Sequence, residues 1–153
     1  MYVKNFLENP IFLASISSWF MAQLVKVAIG LLSHRRKNLR ELVAIVMWRT
    51  GGMPSSHASV VSSMTTSLAF QEGVGSNLFI VSFFLAMVVL RDAMGVRRAS
   101  GIQAKVLNQL GRNVSEKLGL EYRPVKEVNG HTPLEVAVGV LLGVFIATAY
   151  ALL

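Results

Sequence analysis

The sequence predicts an all-α integral membrane protein: a helical bundle of about four transmembrane helices with one short interfacial or re-entrant helix. Three observations predict it. Of 153 residues, 53% are hydrophobic, and the mean hydropathy is +0.53, too apolar for an ordinary soluble domain. The apolar residues fall into four blocks separated by polar, mostly basic stretches. None of these blocks shows the strict alternation of a half-buried strand.

The first block runs from Ile11 to Leu32, after a short lead ending in Pro10. At 1.5 Å per residue it spans about 30 Å of hydrocarbon. It lacks a basic leader and carries Gln23 and Lys26, so it reads as a retained span rather than a cleaved signal peptide. Lys26 has two readings: its ammonium snorkels to the headgroups, or it faces the bundle interior and holds an anion. His34, Arg35, Arg36, Lys37 and Arg40 then form a charged surface loop. Residues 39–50 suit a short interfacial or re-entrant helix, with Arg49 just before a glycine turn.

That turn opens GGMPSSHAS, residues 51–59. Pro54 is expected at the first helical position, with Ser55, Ser56 and His57 in the first turn. Free backbone N–H groups and the helix dipole favour an anion there, and hydroxyls with an imidazole can hold an oxyanion and move a proton. The plainer reading is a turn with a capping serine. The helix that follows, to about Gln71, is rich in Ser and Thr and suits a central position enclosed by other helices.

The third block, Leu78 to Leu90, is too short to span alone and is expected to continue helically through RDAMGVRRASGIQAKVLNQL. Asp92 lies near the membrane boundary with Arg97 and Arg98 beyond it, either as an ion-paired helix end or as part of a site. Residues 111–130 read as a polar linker. The last span is Leu134 to Leu153, with Thr132 as N-cap and Pro133 as first helical residue. His131 and Glu135 are four apart, a spacing that makes contact plausible. A carboxylate in the first turn of a span needs a partner, and His131 is the obvious one. Gly139 and Gly143 continue the same step and would let another helix approach closely.

The charges orient the chain. Arg35, Arg36, Lys37, Arg40 and Arg49 lie in the first loop, and Arg91, Arg97, Arg98, Lys105, Arg112, Lys117, Arg123 and Lys126 in the third; the loop between has none. Positive-inside bias places both basic loops in the cytoplasm and both termini outside. Four alternating spans then bring Lys26, Ser55, His57, Asp92, Arg97, Arg98, His131 and Glu135 to one membrane face. With no cysteine, disulfides and thiolate metal sites are excluded. The net charge of +7 suits anionic lipid or an anionic substrate more than nucleic acid.

AQLVK at residues 22–26, GGMPSSHAS, RDAMGVRRASGIQA and GHTPLEVAVG together resemble the divergent branch of the type 2 phosphatidic acid phosphatase superfamily, relatives of the vanadium-dependent haloperoxidases. The resemblance covers most of the chain, which reads as a single transmembrane phosphatase-like domain over residues 1–153. Lys26 resembles the lysine of the superfamily's first motif. Ser55 and His57 match the second, with Ser56 where glycine normally stands. His131 and Glu135 resemble the third motif's histidine and carboxylate, with Glu in place of Asp. Val125 occupies the position of the third motif's arginine, a place that Arg97 or Arg98 would fill in space.

The resemblance implies catalysis by His131, His57 and Glu135. Lys26, Ser55, Ser56, Arg97 and Arg98 would bind phosphate, and Asp92 would support the arginines. The substrate would be a lipid or isoprenoid phosphate in the membrane, cleaved through a phosphohistidine with neither metal nor cofactor. The expected location is a bacterial inner membrane, with the site at the cytoplasmic face. The alternatives are a non-catalytic binder or transporter of anionic lipid headgroups, and a small structural membrane subunit.

Overall fold

A computed structural model describes residues 2–32, 52–127 and 130–153. The charged loop with His34, Arg35, Arg36, Lys37 and Arg40, the helix expected at 39–50 and Arg49 lie outside the described residues. The described residues form helices and no strand: α1 (Tyr2–Leu7), α2 (Pro10–Leu32), α3 (Ser56–Glu72), α4 (Asn77–Met94), α5 (Val96–Leu118) and α6 (Pro133–Leu152).

The helix ends follow local chemistry. Asn9 Oδ1 accepts from Ile11 N at 2.9 Å at the start of α2. Ser76 Oγ accepts from Phe79 N at 3.1 Å at the start of α4. Thr132 is the N-cap of α6 and Pro133 its first residue, as the sequence predicts, and Glu135 completes a reciprocal capping box with Thr132. Pro54 differs from expectation. It is fully buried ahead of the helix, Ser55 is the N-cap in extended conformation, and Ser56 is the first helical residue.

By length and composition, α2, the continuous run Asn77–Leu118 and α6 can each cross a membrane. The fourth expected span, α3, has only 17 residues and is rich in Ser and Thr. It is the central element, packed against α6, α2 and α4. Its serine face is covered by protein: Ser59, Ser62, Ser63 and Ser67 are buried, and Ser59 meets Ser18 of α2 at 2.5 Å, Oγ to Oγ. Gly139 and Gly143 of α6 face it. A Cβ on Gly139 would stand 2.5 Å from Ser55 O, and one on Gly143 would overlap the Ser59 carbonyl. The glycine stripe is thus what lets α3 and α6 touch backbone to backbone.

The third apolar block does continue helically. The run bends at Gly95, whose ψ of −87° is not helical. The polar linker expected from residue 111 begins only after Leu118, where Gly119 caps α5 at φ +67°. α5 continues through Gly111, and the Tyr122 ring folds back onto it, in the space a Cβ would take.

Candidate active site at one end of the bundle

The polar residues gather where the C-terminal half of α2, the start of α3, the end of α4 and the start of α6 meet. Lys26 lies on the α2 face that packs on α3. It is buried, and its Nζ donates to Ser56 Oγ at 3.2 Å. This excludes the snorkelling alternative: the four-carbon stem does not carry the charge to the headgroups but delivers it to the first turn of α3.

Ser55 and Ser56 divide their work. Ser55 is fully buried; its Oγ accepts from Ala58 N at 3.4 Å, and its N–H donates to Glu135 O at 3.0 Å. That backbone bond ties the start of α3 to the start of α6. Ser56 turns the other way and meets Lys26.

His131 stands just before the α6 cap, 5% exposed. Its N–H donates to Ala93 O at 3.1 Å, which fixes it to the end of α4. Its Nδ1 lies 3.2 Å from Glu135 Oε2. The same oxygen accepts from Thr132 N at 2.9 Å. Glu135 therefore closes the capping box and orients the imidazole at once. With Nδ1–H assigned as donor to the carboxylate, Nε2 carries the free lone pair. Burial holds the His131 pKa below the usual 6.5; the hydrogen bond and charge of Glu135 oppose this in part, while Lys26 and Arg97 add to it.

His57, one helical position past Ser56, shares a cavity of about 260 Å³ with His131, Asp92, Arg97, Ala93, Val88 and Val89. Asp92 Oδ2 and Arg97 Nε are 2.5 Å apart, so the carboxylate fixes the direction of the guanidinium across the Gly95 bend. Arg98 does not join them. Successive helical residues point about 100° apart, and Arg98 is exposed and outside the cavity wall, with its backbone against Gly130. Lys26, Ser55 and Ser56 lie behind the wall rather than in it.

Sequence reasoning missed the Ala93 carbonyl and the two valines. The valines were findable: Val88, Val89, Asp92 and Ala93 recur at three- and four-residue spacing on one face of α4. The carbonyl was not, because its partner lies 38 residues on. Val88 is 66% exposed, so the cavity wall is continuous with the apolar outer surface of the bundle.

Comparison with known proteins agrees with the architecture. A relative from Bacillus subtilis (strain 168), the uncharacterized membrane protein YuiD, is 35% identical over 156 residues, covering 95% of this chain and 96% of that protein. No solved structure matches. The model of the divergent PAP2 family matches residues 7–146, and the chain belongs to that family.

Proposed function

We propose that this protein is a membrane-embedded phosphatase acting on a lipid or isoprenoid phosphate through a phosphohistidine, without a metal. The observation that carries the reading is His131 held by Glu135 through Nδ1, on the wall of a cavity it shares with a second imidazole, His57. In this mechanism Arg97 neutralises the phosphate oxygens from the cavity wall, while Lys26, held behind the wall by Ser56, adds its positive charge to that of the α3 N-terminus. His131 Nε2 attacks phosphorus, and the bond from phosphorus to the leaving oxygen breaks. His57 gives that oxygen its proton. Water then attacks the phosphohistidine, His57 takes a proton from it, and Nε2 leaves with inorganic phosphate released. Glu135 stabilises the positive charge that develops on the His131 ring, as a triad carboxylate does.

The exposed Val88 beside the polar cavity favours a substrate whose chain stays in the bilayer while its phosphate enters. The positive-inside distribution of arginine and lysine favours the cytoplasmic face.

The test is phosphate release by the purified protein from a panel of lipid and isoprenoid phosphates, compared with His131→Ala. The expected result is release that vanadate inhibits, an acid-labile phosphoprotein in the wild type, and neither in the variant. A protein that releases no phosphate from any of them, yet binds them with an affinity unchanged by His131→Ala, would instead be a binder or transporter of anionic headgroups.

A further inference from the structure

We propose that α5 is an in-plane helix docked on the membrane surface, with its apolar face immersed and its cations selecting anionic lipid. α4 alone has 18 residues, about 27 Å of helix, which uses up the hydrocarbon thickness. The full run Asn77–Leu118 has 42 residues, about twice that thickness. α5 therefore begins where a membrane span ends, and the run bends there: Gly95 breaks the helical dihedrals, and a Cβ on it would stand only 2.9 Å from Arg91 O.

α5 packs on α4 and on no other described helix. Ile102, Val106, Leu107, Leu110, Val114 and Leu118 share one side of it, and all are at least 40% exposed. The linker after Gly119 does not cover this side. Asn108 holds it on a flank: its amide nitrogen donates to Val125 O at 3.0 Å and to Glu127 Oε1 at 2.9 Å, while its amide oxygen accepts from Val125 N at 2.9 Å. Tyr122 adds a bond to the same amide oxygen at 2.7 Å.

Charge says what covers the apolar side. Arg98, Lys105 and Arg112 recur every seven residues, which keeps them within about 40° of one line along the helix. α5 also carries Arg97 and Lys117 against a single acidic residue, Glu116, which lies on the same line; Lys117 falls at the C-terminal end of the apolar side, where its long stem can reach the headgroups. A helix with one apolar side, a basic opposite side and a membrane span at its first residue has the chemistry of an interfacial helix on an anionic leaflet. Arg97, in its first turn, lines the cavity, so the docked helix ties that wall to the lipid surface.

The chain has no cysteine, so a single introduced one is the only labelled site. Val106→Cys, at an exposed position, would carry an environment-sensitive fluorophore in the full protein, reconstituted in mixed phosphatidylcholine and phosphatidylglycerol nanodiscs. Bromine is placed on the chains of one lipid or the other at equal mole fraction. The expected result is quenching by both, stronger from phosphatidylglycerol. Neutralising Lys105→Gln and Arg112→Gln together should remove that excess, since each basic residue near an anionic surface contributes a factor of about five in local preference. A Lys105→Cys label should remain accessible to a water-soluble quencher. Absence of quenching from either lipid at Val106 would overturn the docking, whether water or another copy of the chain covers the face. Equal quenching by the two lipids would overturn the anionic selection.

Discussion

Gly139→Ala probes the contact that assembles the site. The added Cβ would stand 2.5 Å from Ser55 O, 3.0 Å from Ala58 Cβ and 3.2 Å from Ser55 N. Two of these are backbone atoms, which cannot rotate away. Restoring ordinary contact requires α3 and α6 to part by about 1 Å. Overpacking of this kind costs about 1–3 kcal/mol. The same displacement strains the bond from Ser55 N to Glu135 O, now 3.0 Å, whose loss adds about 1 kcal/mol. Alanine's better helix propensity returns roughly 1 kcal/mol. The expected net loss is about 1–3 kcal/mol, read as a lower melting temperature in detergent. His57 rides on α3, while His131 is bound to Glu135 of α6. A shift of about 1 Å between them should lower phosphate release by about 100-fold. Gly75→Ala, with nothing within 4 Å of its added Cβ, is the control and should stay within about 0.5 kcal/mol of wild type. Wild-type melting and wild-type phosphate release in Gly139→Ala would refute the reasoning that backbone contact at this glycine sets the site.

Three further outcomes follow from the geometry. Lys26→Met keeps the stem and removes the buried charge that meets Ser56, so vanadate affinity, measured by inhibition, should fall at least tenfold with little loss of stability. Asp92→Asn removes the charge that directs Arg97, and should weaken phosphate binding by about tenfold while leaving the melting temperature within a few degrees, because both partners are partly exposed. The lowered pKa of His131 has a definite sign. The unfolded chain takes up this proton near pH 6.5 and the folded chain only at lower pH, so stability falls as pH drops below 6.5 and is independent of this group above it. A pH series of melting temperatures should show that acid loss, and His131→Gln should flatten it; the acid limb of phosphate release from this group should likewise lie below 6.5.

Much of this protein is written locally. The length of the apolar blocks dictates membrane helices, and a Thr-Pro pair with a carboxylate at 135 dictates where α6 begins, because capping needs only neighbouring residues. The alternation of spans places His57, Asp92, His131 and Glu135 at one end, since helices that cross in turn return every polar end to the same side. Rotation about each helix axis is another matter. Lys26 could have reached either headgroups or protein; it turns inward because its face of α2 packs on α3. Arg97 and Arg98 are chemically equal in sequence, and the Gly95 bend together with Asp92 aims only the first at the cavity. Ser55, matched in sequence to a phosphate-binding serine, spends its hydroxyl as a cap, and Ser56 meets the lysine instead. Gly111 leaves room on the continuing helix for the ring of Tyr122, eleven residues later, which closes over it. In each case the deciding partner is distant in the chain, and periodicity specifies which residues share a face but not which neighbour that face will meet.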